Sequence, residues 1–517
     1  MSGNPLDPAP LRRRLWLLLA GFHFGGAAIA LAVVLIGVAA IRFGAEAELP
    51  LAEAAGWLVI LFGVFCLAAL RPAPEQLPEA GTLVVDRAAE PRLFAAVEGA
   101  AARVGVRLPL EIVLTPGAAI SCLEEGRLLG GGRRCRVEIG LATLHALDVP
   151  RFEAILALHL AHQADGDLLL RRVLARTFRT IDRTLERAAL LERPFRRWRH
   201  RLAAAWERYE RVHVHAVDEA AARASGAAVY GAALRRVSIL PSLFERYLAE
   251  EVQPILDEGY VPADLYGGFR LCLEALEKTG QLERLEEEAE TDDPPEQQEA
   301  RFPTVGRRLE RVRRLALPHP LPAPEAGVLA RELVADAAGA EAQAALRWTG
   351  DPGAAARRLA WDEVAERVWA ARFRSAAVAI RGALPPGAGL GFAIDWLASS
   401  SQVALAAAAW PRLLDGGLDE ERLKRRARQL VNRGVAGWIG EELAAQGWRW
   451  ETSPGWAVEL ESPDGERIAP LALLAPLGTE AGAAEAVRAR LQALGLDLGE
   501  RQAAPSARNH RPRSWLH

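Results

Sequence analysis

"AILALHLAHQADGD", residues 154–167, is the stretch on which the reading of the whole chain turns. It is a helical, mostly apolar segment that nearly spells a metal site. A helix carrying H-E-x-x-H sets two zinc-ligating histidines one turn apart, with a glutamate beside them as general base. Here the chain offers Leu158, His159, Leu160, Ala161 and His162. The stretch is therefore a shifted zinc site, a ruined one, or a buried helix that happens to carry two histidines.

The rest of the composition narrows the class. A chain of 517 residues can build two or three domains with a sizeable core. Its net charge of −3 gives no global sign of a nucleic-acid partner. Cys66, Cys122, Cys135 and Cys272 form no C-x-x-C pair and suit a reducing compartment better than a disulfide framework.

Leu15 to Ile41 runs without a formal charge, and as a helix would be roughly 40 Å long, enough to cross a hydrocarbon core of about 30 Å. Ala54 to Leu70 is a second, shorter apolar run. Arg12, Arg13 and Arg14 precede the first and Arg71 follows the second, while the loop between them holds Arg42 with Glu46, Glu48 and Glu53. The positive-inside rule then places both termini in the cytoplasm. Residues 1–75 are expected to be a transmembrane helical hairpin in the cell inner membrane, with the lipid bilayer as partner. His23 within the first run is expected to face the partner helix or snorkel.

Beyond the anchor, 91–105 reads as an amphipathic helix ending in glycine, and 110–115 and 135–141 as strands. Gly130, Gly131 and Gly132 lack the G-K-[ST] ending of a phosphate loop and read as a turn. From Pro150 to about Leu256 the pattern is helical and basic, through Arg171, Arg172, Arg176, Arg179, Arg183 and Arg187 and then "RRWRHR" (196–201). A solvated face near an anionic inner leaflet accounts for it without nucleic acid. The acidic stretch 283–299 is expected to be a loop, and 317–327 a proline-rich linker. "GAGLG" (387–391) follows no strand and is set aside as a dinucleotide fingerprint. Residues 418–447 read as a helix and 448–470 as short strands. The expected fold is mainly α: the hairpin, a helical domain with a small β element at 85–316, a C-terminal α+β domain at 328–503, and a disordered tail at 504–517.

Two N-terminal spans, "EPRLFAAVEGAAARVGV", two strands, "IGLATLHALDVPRFEAILALHLAHQADGD", "VDEAAARASG" and "FPTVGRRLERVRRL" (302–315) together resemble the membrane zinc metallopeptidases of the HtpX-like and CAAX prenyl peptidase type. The resemblance spans roughly residues 90–315. It implies a metallopeptidase-like domain whose first helix reads A-H-E-x-x-H-x-x-x-G-D and whose later helix reads E-x-x-A-D-x-x-A-x-x-x-x-G. Carried over by residue, Gly166 and Asp167 set the first register. Leu158 then falls on the first histidine, His159 on the glutamate base, and His162 on the second histidine. Asp218 and Gly226 set the second register, with Val214 on the third ligand. Ala118 stands where the family has an asparagine, and Phe302 where it has a histidine.

Leucine and valine offer zinc no lone pair, and a histidine cannot replace the carboxylate that shuttles the proton. The expectation is a degenerate site, with no catalytic residue, no metal and no cofactor, in a binding or scaffold protein whose groove still holds a peptide or membrane-protein partner. The alternative is an active zinc endopeptidase with an atypical metal site, its ligands replaced or standing in another alignment. Separately, His159, His162, His213 and His215 could in principle rebuild a site for zinc, copper or nickel. Against that, 213 and 215 point about 100° to either side of 214 on a helix, and 159 points away from the face of 158 and 162. Asp167 and Asp218 are expected to cap helices or pair with arginines such as Arg223.

Overall fold

The computed structural model describes residues 9–71, 82–107, 109–125, 134–164, 168–187, 191–291, 303–315, 327–349, 357–398, 402–410, 419–480 and 482–499. Gly166 and Asp167, the glycine turn 130–132, Phe302, most of the proline-rich segment and the tail 504–517 lie outside them. The described chain is mainly helical with a few small sheets.

The two apolar runs form helices α1 (Ala9–Glu46) and α2 (Pro50–Ala69), each long and apolar enough to cross a membrane. Pro50 sits in the first turn of α2, where its missing N–H costs nothing. The helices meet through small residues seven apart: Ala30, Gly37 and Gly44 on α1, Gly56 and Gly63 on α2. A Cβ on Gly37 would lie 2.7 Å from the Gly56 carbonyl, and one on Gly44 2.7 Å from the Glu53 nitrogen. The backbones therefore touch, and the seven-residue period keeps the seam aligned along both helices. The larger side chains turn outward, among them Leu31, Leu35, Ile36, Phe43, Leu51, Leu58 and Leu61, all exposed.

The first ten or so residues of α1 do not belong to this apolar rod. Leu15, Leu19 and Phe22 are buried against Leu170, Leu174 and Ile181 of α6 (Leu168–Arg187) and Leu202, Ala205 and Tyr209 of α7 (Glu192–Ser225). Between the two halves α1 widens into one π turn, Gly21–Gly25, where the His23 ring bonds the Thr177 hydroxyl at 3.0 Å. His23 thus faces the basic helices, where the sequence suggests the partner helix or a snorkelling side chain.

A four-stranded sheet follows, in the order β1-β2-β4-β3, from β1 (Leu83–Val84), β2 (Leu110–Thr115), β3 (Ile120–Glu125) and β4 (Arg134–Gly140). β2 and β4 are parallel, Leu110 opposite Cys135, and β3 returns antiparallel along β4 as an edge strand. Helix α3 (Pro91–Arg103) lies between β1 and β2 in sequence and packs on the helix Val149–Ala164. After α4 (Leu141–Ala146), helix α5 (Val149–Ala164) buries Phe152, Ala154, Ile155, Leu156, Ala157, Leu158, Leu160 and Ala161. A helix buried on nearly every side is what its sequence dictates. It packs against α7, and α8 (Ala227–Tyr247) follows Gly226, whose φ of +90° ends α7 in a conformation that disfavours any side chain.

The acidic stretch after residue 280 is not a loop in its first part. Gln281–Thr291 forms α9, with Glu286 and Glu290 paired to Arg236, Arg235 and Arg313. Ion pairs on one face supply the order that apolar periodicity could not announce. Val305–Arg313 forms α10, N-capped by Thr304.

By its contacts the chain divides into one unit of 1–244 with 280–348 and another of 245–279 with 349–517. The expected boundary at the proline-rich segment differs from this division. Residues 327–349, which include α11 (Ala337–Thr349), return to the first unit through Ala330 N–H to the Leu147 carbonyl and Val149 N–H to the Val328 carbonyl. The Glu90 carboxylate accepts bonds from the Ala335 and Asp336 N–H groups, and a buried His145–Glu341 contact of 2.7 Å completes the attachment. The second unit centres on helix Glu420–Ala445. Its Gly434 and Gly437 admit Ile380 and Phe373 of helix Ala370–Ala383, and Trp450 stacks on Phe373 at 4.8 Å. Its strands Arg449–Glu451, Glu459–Glu461 and Arg467–Ile468 form the small antiparallel sheet expected from the turn signals.

Candidate functional site

Helices α5 and α7 bring the two family-like segments together, and the contact is made by histidines. The rings of His162 and His213 lie 5.1 Å apart. His213, fully buried, stacks on Tyr209 one turn earlier, and its Nδ1 meets the Tyr209 hydroxyl at 3.4 Å. His213 therefore turns toward His162, although a plain helical wheel centred on Val214 sends it aside. Leu158 and Val214 are both buried apolar side chains at the positions read as lost ligands.

Cations stand around these imidazoles. Arg171 of α6 donates to His162 Nδ1 at 3.1 Å, pairs with the buried Glu210 carboxylate, and covers the Trp206 ring at 5.0 Å. Arg308 of α10 donates two bonds to the buried Asp218, at 2.6 and 3.0 Å. Tyr230 of α8 donates a third at 2.6 Å. Asp218 is thus paired with Arg308, not with Arg223, which pairs with Glu219.

This environment disfavours the charged form of every histidine of the cluster. Burial, then Arg308, depresses His159 to about 4, and burial, then Arg171, does the same to His213. His162 lies well below its ordinary value through burial and then Arg171, with smaller contributions from His213, His159 and Arg308. His215 is lowered by burial and then Arg311, against a smaller opposing effect of Asp218.

The hydrogen bond to His162 decides what that residue can ligate. Guanidinium is a donor only, so Nδ1 must be the accepting nitrogen and Nε2 must carry the proton. One lone pair is taken by Arg171 and the other nitrogen has none to offer. With Leu158 and Val214 apolar, the residues present do not fit a zinc ion. Among the described residues no three or more His, Cys, Asp or Glu side chains converge as a metal site.

Sequence reasoning singled out His159, His162, His213, His215 and Asp218, and all five border this cluster. It missed Arg171, Glu210, Tyr209, Tyr230 and Arg308. Arg171 reads in the sequence only as part of a solvated basic face, and Arg308 stands in the segment 302–315 already noted for its resemblance. Comparison with protein-family models, with curated proteins and with solved structures finds no match.

Proposed function

We propose that the chain is a membrane-anchored, non-catalytic relative of the HtpX-like and CAAX prenyl peptidases, which holds a peptide or membrane-protein segment at the cytoplasmic membrane face without cutting it. The observation that supports this reading is the bond from Arg171 to His162 Nδ1, which would have to break before the one surviving ligand position could bind metal. The apolar seam-packed hairpin with its outward-facing leucines and phenylalanines supports anchoring, and the flanking arginines support cytoplasmic termini. β3 supports the peptide-binding half of the reading. Among the described residues it is an edge strand, paired only with β4, and it lies beside α5, so an extended segment can add to it by main-chain hydrogen bonds.

The test is the metal content of the purified full-length protein, measured by mass spectrometry, together with hydrolysis of casein and of a prenylated peptide. No stoichiometric zinc and no cleavage above background are expected. Chelator-sensitive proteolysis abolished by His162→Ala would overturn the proposal and restore the zinc endopeptidase reading.

A further inference from the structure

The basic helices α6 and α7 reach the level at which the apolar hairpin begins. Phe195 and Trp198, in the first two turns of α7, pack on Phe22 with ring centroids at 5.5 and 6.3 Å, and Trp198 lies 3.3 Å from where a Gly21 Cβ would be. Near the end of α6, the Thr184 hydroxyl, which bonds the Thr180 carbonyl, lies 3.2 Å from the Ala69 carbonyl, and Arg183 donates to that of Arg71. Leu70, at the end of α2, packs on Gly26. The end of α6 and the start of α7 therefore flank the base of the hairpin.

On this stretch of α7 the arginines divide into two sets. Arg196 pairs with Glu192 and Arg199 with Asp182. Arg193, Arg197 and Arg201 are exposed and have no acidic partner among the described residues. They are spaced by four, so they fall within about 80° of one helix face and about 6 Å apart along it. Arg208 and Arg211 continue the row. They lie farther from the hairpin, because α7 runs antiparallel to the first half of α1: Phe195 and Trp198 meet residues 21 and 22, while Tyr209 shares its cluster with Leu15 and Leu19.

We propose that Arg193, Arg197 and Arg201 form a binding site for the phosphates of acidic phospholipids at the base of the hairpin. The inference rests on the reading of the hairpin as a membrane anchor. Guanidinium matches a phosphate bidentately, and the row starts beside the base of the apolar hairpin, so a lipid whose acyl chains lie on the hairpin has its headgroup near the row. Zwitterionic lipid gains little from the same row because its ammonium cancels the phosphate charge. Each arginine near an anionic surface is worth about fivefold in partition.

The full chain, extracted from mixed bilayers of phosphatidylglycerol and phosphatidylcholine, should retain phosphatidylglycerol preferentially, as read by mass spectrometry of the co-purified lipid. The variant Arg193→Gln/Arg197→Gln/Arg201→Gln should lower that preference by on the order of a hundredfold, and Arg197→Gln alone by about fivefold. The triple lysine variant should keep most of it, and high salt should weaken it. The triple glutamine variant should melt as wild type does, since no acidic partner is lost, and Arg197→Gln alone decides the matter if it does not. Equal retention by wild type and the glutamine variants would overturn the proposal. So would displacement of the lipid by millimolar inorganic phosphate, or binding of a labelled single-stranded RNA to the same arginines in its place. Resistance of the protein to carbonate extraction separates the two readings. A protein that stays in the membrane without lipid preference refutes only the arginine site, and one that is washed off refutes the anchor.

Discussion

Asp218→Ala tests the interpretation of the cluster most directly. The carboxylate is 1% exposed and accepts three hydrogen bonds, two from Arg308 and one from Tyr230. Alanine removes the counter-charge while the guanidinium stays enclosed, its own side chain only 18% exposed. Breaking one side of a buried pair costs about 3–5 kcal/mol, mostly because the abandoned charge remains desolvated. For a unit of this size that corresponds to a fall in Tm of roughly 5–8 °C in detergent solution. Removing all three partners together should behave differently. Asp218→Leu/Arg308→Met/Tyr230→Phe leaves no charge and no orphaned hydroxyl, and should recover to within about 1–2 kcal/mol of wild type. A loss below about 1 kcal/mol for Asp218→Ala would show that the pair is solvated in the native protein. The reasoning that Arg308 is a fixed cation beside the histidines would then fail.

Other outcomes follow from the same geometry. His213 titrates at about 4 in the fold against about 6.5 unfolded, so below neutrality the unfolded chain binds more protons. Stability should be level above about pH 6.5 and fall toward pH 4, by roughly 3 kcal/mol from His213 alone, and a flat Tm profile across that window would contradict the burial. Arg308→Met should raise the His159 pKa only part of the way, because burial is the larger cause; histidine NMR shifts against pH would read it. Leu158→His/His159→Glu/Val214→Glu should gain little zinc affinity while Arg171 holds His162, and should gain more when Arg171→Leu is added. Calorimetric zinc titration separates the two, and equal affinities would refute the role given to Arg171. Gly37→Leu puts a side chain into the Gly56 backbone and should open the hairpin, at a cost of about 1–3 kcal/mol or more, read as increased protease access to residues 46–50.

What the sequence announced and what it withheld divide along a physical line. Periodic apolar patterns are local, so the two apolar helices, α5, β2, β4 and the late helix with its small sheet were all legible. The polar cluster was not, because its partners are remote. Arg171 and Glu210 are separated by 39 residues and Asp218 and Arg308 by 90, and no spacing rule links an arginine to a carboxylate on another helix. Asp218 was expected to find a nearby arginine and found a distant one. The stretch from Glu283 to Thr291 misled for a related reason, since carboxylates that look like a solvated loop are held by arginines of α8 and α10. The glycines seven apart in the two apolar runs were readable and went unread. They mark the seam more sharply than hydropathy marks the spans.

Helix α7 is one unbroken element of 34 residues, about 50 Å from end to end. One end is wedged against the aromatic and glycine residues where the hairpin begins, and Asp218 stands near the other. On the membrane-anchor proposal such a rod is a lever that starts at the lipid surface. A hairpin longer than the local hydrocarbon layer relieves the mismatch by tilting. A tilt of about 5° passed to a rod of about 50 Å moves its far end by about 4 Å, which is more than a hydrogen bond tolerates. On the membrane-anchor proposal, a change in bilayer thickness would be passed along this one helix toward the Arg308–Asp218–Tyr230 contacts.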